Sequence, residues 1–346
     1  MTLQRVVALP SHMTQQPAAG LTVWEQLSQL ARWAPTPHNT QPFRIRPRSA
    51  TQADVVALPE RFLTMEDPGN RYCSASAGVL AVALEKAAQH LGHVLTCVPT
   101  MEFDPAFMSR ATAPVTVASV TITGTCPPVP QGALLESRRT SRTPYTNQRI
   151  RFAAQQALSS VVSAAGHRLL VFEDPGLVET VLDLNANAIM DNLQVDHERR
   201  EIEHWTHAGP TPVYGDGLWN IPLNQPGWEL AAAFGAPSLF TVGLFRAFAR
   251  WRQVRSQDGT PHIGLLCGPF DSWPQLYPAG RMLMELWLAM AHHGVVMQPF
   301  GSMLTNPSYA QRVARVFGVP DTWLIFRLGH GPVPPRSPRL QSLVLP

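Results

Sequence analysis

Ala77-Gly78-Val79-Leu80-Ala81-Val82-Ala83-Leu84-Glu85-Lys86-Ala87-Ala88-Gln89-His90-Leu91-Gly92 has a counterpart far along the chain. That counterpart is Ala279-Gly280-Arg281-Met282-Leu283-Met284-Glu285-Leu286-Trp287-Leu288-Ala289-Met290-Ala291-His292-His293-Gly294. Both open on Ala-Gly and close on Gly at the same spacing, and His90 aligns with His292. Leu80, Leu84, Ala87, Ala88 and Leu91 recur at helical intervals, as do Met282, Leu286, Ala289 and Met290, so each segment predicts a helix with a buried stripe. The closing glycines suit a left-handed C-cap. Extended stretches follow, to Pro99 and to Pro299. A repeat on this scale implies two similar folded halves.

The halves also begin alike. Leu21, Trp24, Leu27, Leu30 and Ala31 predict an amphipathic helix, and Phe43-Arg44-Ile45-Arg46 a strand. Ala157, Leu158, Val161, Val162 and Ala165 predict its counterpart, leading into Arg168-Leu169-Leu170-Val171-Phe172. These early elements are closer together in sequence than the two Ala-Gly helices. The second half therefore carries extra chain between its first strand and its long helix, expected at about 196–262 and rich in Pro, Gly and aromatic residues. Long irregular insertions in compact domains are commonly lids or binding loops. Strands at Val115–Val120 and Trp323–Leu328 complete an α+β reading with helices around sheet. The divisions expected are a flexible N-terminus at 1–20, a first half at 21–130 and a second at 131–346.

The chain has 346 residues with 45% hydrophobic side chains, enough to bury a core in each half. No apolar run approaches the roughly 20 residues that cross a bilayer, and the start lacks a basic and apolar leader pattern, so a cytoplasmic protein without membrane contact is expected. Its four cysteines form no C-x-x-C pair, which disfavours a zinc ribbon or dithiol motif. A net charge of +3 is too small for a nucleic-acid footprint. Almost all the cationic residues are arginine, suited to bidentate contact with phosphate, and they cluster at 138–142, 246–255 and 336–339. No G-x-G-x-x-G and no Walker loop is present, which argues against a Rossmann or P-loop nucleotide site.

Two further stretches carry chemistry: Ala34-Pro35-Thr36-Pro37-His38-Asn39-Thr40-Gln41-Pro42-Phe43 and Arg138-Arg139-Thr140-Ser141-Arg142. Each occurs once. Together with the basic segment Arg327-Leu328-Gly329-His330-Gly331 to Pro334-Pro335-Arg336-Ser337-Pro338-Arg339, they resemble the two sides of the FMN site in the nitroreductase superfamily. In that family an Arg-Arg-Ser-x-Arg-like segment of one subunit meets a Pro-Ser-x-x-Asn-x-Gln-Pro-like segment of the other. Both lie here on one chain, a pattern similar to the duplicated, Acg-like branch. Asp67-Pro68, Arg71, Arg199, Glu203, Trp205 and Asp216-Gly217 add to the likeness. The departures are Thr36-Pro37 in place of paired small hydroxyl residues, Thr140 in place of serine, and Phe43 where tryptophan is frequent.

The resemblance implies two tandem nitroreductase-like halves folded as an intramolecular pseudo-dimer around one FMN, either monomeric or paired further. It implies phosphate contacts from Arg138 and Thr140, with Arg139, Arg336 and Arg339 in support, and Arg142 at the N1/O2 edge of the flavin. Thr36, His38, Asn39 and Gln41 would approach ribityl and ring, while Gln298, Pro299, Gly301 and Ser302 would face the N5 side. The implied activity passes hydride from NADH or NADPH through FMN to a small organic acceptor, and no side-chain general acid is demanded. The alternative is a protein that stores FMN beneath a closed lid. His197, His204 and His207 with Asp196 and Glu203 read as a polar lid face, since no further pair completes a zinc site. The basic, amphipathic stretch Leu244–Arg252 reads as a lid helix.

Overall fold

The structure, a computed structural model, describes residues 21–345. The 1–20 segment lies outside the described residues. The order opens with helix α1 (Val23–Ala31), strands β1 (Phe43–Pro47) and β2 (Gln52–Ala57), helix α2 (Arg71–His90) and strands β3 (His93–Pro99) and β4 (Val115–Thr125). Thr22 and Glu25 form a capping box that starts α1, satisfying two backbone donors reciprocally. These strands form an antiparallel sheet ordered β1-β2-β4-β3.

Helices α3 (Gly132–Ser137) and α4 (Phe152–Ala164) then lead to strand β5 (Arg168–Phe172). Between β5 and the next long strand run helix α5 (Pro175–Asn192), helix α6 (Asp196–His204), the short parallel pair β6 (Thr206–His207) and β7 (Leu218–Trp219), and helices α7 (Asn220–Leu223), α8 (Gly227–Gly235) and α9 (Gly243–Arg255). Strand β8 (His262–Cys267), helix α10 (Trp273–His292), strand β9 (Val296–Pro299), helices α11 (Ser302–Thr305) and α12 (Pro307–Phe317) and strand β10 (Thr322–Gly329) complete the chain. The second sheet is ordered β5-β8-β10-β9, the same succession as the first, and is also antiparallel.

The expected helices and strands are present, with differences that have local causes. Helix α2 starts at Arg71 rather than Ala77, because Asp67 accepts the Cys73 N–H at 2.8 Å and Ser74 bonds back to Asn70. Strands β2 and β8 were not foreseen. Both are almost wholly buried, so they lack the polar alternation that marks a half-exposed strand. Helix α5 was also missed, although Asp174 before Pro175 is an N-cap and first-turn signal, and the Asp174 carboxylate accepts the Leu177 N–H at 2.8 Å.

The two repeat helices α2 and α10 pack on each other at the centre of the principal apolar core, which draws side chains from both sheets. Their approach is set by two glycines. A Cβ on Gly78 would lie 2.1 Å from the Tyr277 carbonyl oxygen, and one on Gly280 would lie 1.8 Å from that of Ala75. Across the same interface Arg281 makes a bidentate pair with Glu85, both contacts at 2.8 Å, and Lys86 meets Glu285 at 3.1 Å. The segment near the end of the chain returns to the first sheet, where the Ile45 N–H donates to Leu343 O and the Leu345 N–H to Ile45 O, both at 2.8 Å.

Gly280→Ala is expected to lower unfolding stability by about 3 kcal/mol, because backbone must move to admit the methyl group. Gly235→Ala, where a Cβ meets nothing within 4 Å, is expected to change it by no more than about 0.5 kcal/mol. Urea denaturation of both variants checks the contrast, and equal effects would refute the helix-contact argument.

Candidate functional site

Four segments converge on one cavity of about 500 Å³, within the usual span for small-molecule sites. The 138–142 segment leaves α3 and runs beside β9, where the Ser141 N–H donates to Met297 O at 3.0 Å. The 36–41 loop joins α1 to β1 through three non-glycine residues in the left-handed region: His38 (φ 44), Asn39 (φ 55) and Gln41 (φ 49). Thr36 Oγ1 closes that loop by accepting the Gln41 N–H at 2.9 Å. The third wall is the 335–339 segment, and the fourth comes from α5 and the chain between it and β8.

One end of the cavity is arginine-rich. Arg138 is buried, its guanidinium lies 4.6 Å from the Trp287 ring centroid, and Nη2 donates to Trp33 O at 3.1 Å. Its Nε and Nη1 have no protein partner. Burial, then the nearby Arg339 and Arg139 charges, push its pKa well below the ordinary value. Arg139 donates to Pro334 O at 2.5 Å, and Arg339 donates to Asn39 Oδ1 and to Pro338 O. Burial, with Arg32 adding repulsion, lowers Arg339 to about 10. Arg336 pairs with Glu136 at 3.0 Å, and Arg32, Arg336 and Arg339 all lie within 6 Å of the Trp33 ring centroid. Thr140 lines the same end.

Arg142 occupies the middle, its pKa lowered to about 10 by burial and then by Arg327. It touches α7, donating to Pro222 O at 3.5 Å while its own carbonyl accepts from Asn224 Nδ2 at 3.2 Å. Sequence reasoning placed Arg327 only at the head of the basic segment and gave it no contact of its own. This fully buried side chain on β10 donates to Gln298 Oε1 at 2.7 Å, Thr143 O at 2.9 Å and Ser141 O at 3.2 Å, while its guanidinium lies 4.1 Å from the Tyr145 ring centroid. It thereby fixes both Gln298 and the segment carrying Arg142. The Gln298, Pro299, Gly301 and Ser302 positions all line the cavity.

Of the 36–41 residues expected at the site, Thr36, His38 and Asn39 line the cavity and Gln41 does not. Asn39 and Gln41 spend their polar atoms on neighbouring chain. Asn39 Nδ2 donates to Gly217 O and Pro338 O, both at 2.9 Å. Gln41 Nε2 donates to Gly215 O at 2.9 Å, and Gln41 Oε1 accepts the Leu340 N–H at 3.1 Å. Arg61 completes the attachment, donating to Thr40 O at 2.7 Å and pairing with Asp216 at 2.8 Å. His38 Nε2 meets Glu66 at 2.7 Å. Burial opposes its protonation, but the Glu66 charge and hydrogen bond, with Glu201 farther off, prevail and raise its pKa.

The far end of the cavity is apolar, walled by Ile189, Met190 and Leu193 of α5 against Phe234, Phe240 and Phe245. These positions follow helical periodicity on α5, the signal by which sequence could have found them. The α9 helix docks Phe245 and Ala249 inward but leaves Leu244, Phe248 and Trp251 exposed. His204 and His207 are applied to Trp205 and Tyr214, and among the described residues no group of three or more His, Cys, Asp or Glu is placed to hold a metal ion. Among those residues no helix is long and apolar enough to cross a membrane.

No family model matches the chain. Over 82 residues it is 43% identical to a Streptomyces coelicolor protein named as an NADH dehydrogenase/NAD(P)H nitroreductase, a match spanning 23% of this chain and 36% of that relative. Solved structures that it resembles include the FMN-dependent nitroreductase NfnB of Mycobacterium smegmatis in complex with NADPH, at 16% identity and TM-score 0.31. Another is a nitroreductase with bound FMN from Desulfitobacterium hafniense, at 14% identity and TM-score 0.34. Each comparison covers 59% of this chain and 92% of the other. The chain spans only about a third of the length of the curated relative it matches, and the fold described above rests on this chain's own elements.

Arg327→Met leaves Thr143 O and Gln298 Oε1 without their donor and Ser141 O with the Tyr145 hydroxyl alone, and is expected to cost about 3 kcal/mol in urea unfolding. A loss below about 1 kcal/mol would show that the 138–142 segment holds without it. Burial raises Asp67 from 3.8 to about 6, despite N–H donation from Cys73 and Tyr72. A carboxyl whose folded pKa is raised favours the fold most below pH 3.8, and that contribution declines as pH rises through about 6. Asp67→Asn is therefore expected to flatten the stability profile between those values, measured by thermal unfolding across pH.

Proposed function

We propose that this chain, which its sequence match joins to the nitroreductase superfamily, is an FMN-dependent oxidoreductase drawing electrons from NADH or NADPH. The observation that carries the reading is the arginine-rich end of the cavity. Of Arg138, Arg139, Arg336 and Arg339, only Arg336 pairs with a carboxylate, that of Glu136, and Arg138 keeps two buried N–H-bearing atoms free of protein partners. Excess positive charge of this kind fits a phosphate dianion. The name of the similar Streptomyces coelicolor protein, an NADH dehydrogenase/NAD(P)H nitroreductase, points the same way.

On this reading Arg138 and Thr140 hold the phosphate, with Arg139, Arg336 and Arg339 around them. Arg142 offers positive charge to the N1/O2 edge of the flavin, where its burial strengthens attraction for developing negative charge. Arg327 keeps Arg142 and Gln298 in register, and Thr36, His38, Pro299, Gly301 and Ser302 shape the remaining walls. Asn39 and Gln41 act one step away, fixing the loop to the 215–217 and 338–340 segments. FMN, when bound, supplies the capacity to accept hydride at N5 and pass it to a small organic acceptor.

The shared strand order and the glycine-centred helix pair support two tandem halves, 21–130 and 131–346, arranged as a pseudo-dimer with the insertion over the cavity. A second reading, storage of FMN with little turnover, is favoured by one observation: α7 of the insertion already rests on Arg142.

Protein supplied with FMN is expected to retain it through desalting and to bleach promptly when mixed anaerobically with NADPH. Arg138→Met is expected to weaken FMN binding about 100-fold, read by fluorescence titration. Retained but unresponsive flavin would favour storage, and failure to bind FMN at all would dismiss both readings.

A further inference from the structure

We propose that His38, backed by Glu66, donates the proton that accompanies hydride transfer to the acceptor in this cavity. The inference rests on the oxidoreductase reading above and adds a group that reading does not require.

His38 and Glu66 both line the cavity. The imidazole Nε2 is committed to the Glu66 carboxylate at 2.7 Å, while Nδ1 is buried and has no protein partner. The residue is held in the left-handed backbone region (φ 44, ψ 19), a conformation that costs a non-glycine residue free energy and persists here because the surrounding loop is pinned on both sides. This geometry spends one ring nitrogen on the carboxylate and reserves the other.

Glu66 is itself placed by the insertion. Its N–H donates to the Glu201 carboxylate of α6 at 2.8 Å, and the Met65 N–H meets the same carboxylate at 3.2 Å. Glu198, on the same helix, has Oε2 buried without a partner, and its pKa is raised by burial and then by Glu66. The charged groups acting on His38 are thus Glu66 before α2, Glu201 on α6 and Arg142 on the 138–142 segment. The two carboxylates outweigh burial and Arg142, so the imidazolium is favoured more than in a free imidazole. Of these carboxylates, only that of Glu66 is in contact with the imidazole.

The step balances as follows. The acceptor receives a hydride, two electrons and one proton, at one end of a π bond. That bond breaks, and the electron pair left on its electronegative end takes the proton from His38 Nδ1, whose N–H bond breaks with its electrons remaining on nitrogen. One NAD(P)H and one solvent proton are consumed per acceptor reduced by two electrons. An anion left unprotonated on the acceptor is costly, which is why a positioned donor accelerates the step.

The test uses the FMN-loaded full chain, reduced by NADPH and then reoxidised by either a water-soluble p-benzoquinone, which takes up protons, or ferricyanide, which takes electrons singly and none. His38→Gln is expected to lower the ratio of quinone to ferricyanide reoxidation rates about 100-fold. Glu66→Gln is expected to lower it less and to move the pH at which quinone reoxidation declines to a more acidic value. An unchanged ratio in His38→Gln, with both rates intact or both reduced together, overturns the proton-donor role and leaves His38 a wall residue. Wild-type protein that binds FMN but is not bleached by NADPH overturns the oxidoreductase reading itself, a result visible before any variant is made.

Discussion

The close approach of α2 and α10 at Gly78 and Gly280 fixes how the two sheets can share one core. Helices that meet through backbone, with carbonyls inside the space a Cβ would fill, tolerate little sliding or rotation. The Arg281–Glu85 and Lys86–Glu285 pairs sit on the rim of the same interface and select its register more than they stabilise it, since partly exposed ion pairs contribute little. The 138–142 segment hangs from β9, just beyond α10, and the 36–41 loop enters β1. Their meeting across the cavity follows from this helix alignment.

Much of that arrangement was legible in the chain. The Ala-Gly helices betray themselves because buried helices in both halves need the same small residue at the same crossing. The arginine segment and the 36–41 loop were legible as a pair because each keeps residue types that an ordinary turn does not demand. What remained hidden had physical reasons. Strand β2 is buried after its first residue and β8 is buried throughout, so neither leaves a sustained inside–outside alternation to read. Arg327 stands in a strand of apolar neighbours, and only the fold shows that the carbonyls of Ser141 and Thr143 surround it. Gln41 belongs to a recognisable motif, yet its amide is turned to Gly215 and Leu340, since a motif specifies residues and not the direction in which each side chain spends its hydrogen bonds.

Charge burial ties these elements to chemistry. Arg138, Arg142, Arg327 and Arg339 have lowered pKa values, each with burial as the leading cause. Placing several guanidinium groups out of water beside one another costs stability that a purely structural core would avoid. Here the cost is reduced by backbone carbonyls and by the faces of Trp287, Tyr145 and Trp33. These partners orient a cation without neutralising it, so the positive potential is directed into the cavity.

The attachment of residues 215–217 to residues 39–41 has a mechanical consequence. Gly217 and Asn39 exchange amide hydrogen bonds, Gly215 accepts from Gln41, and Arg61 grips Thr40 and Asp216 together. The insertion is therefore stitched at this point, and any swing that admits a guest must pivot about that seam or tear it. A pivot there leaves the left-handed bend of the loop undisturbed, whereas movement of α9 would also break its pairs with Asp183 and Asp191 of α5. Traffic into the chamber is thus expected away from the seam that holds residues 215–217.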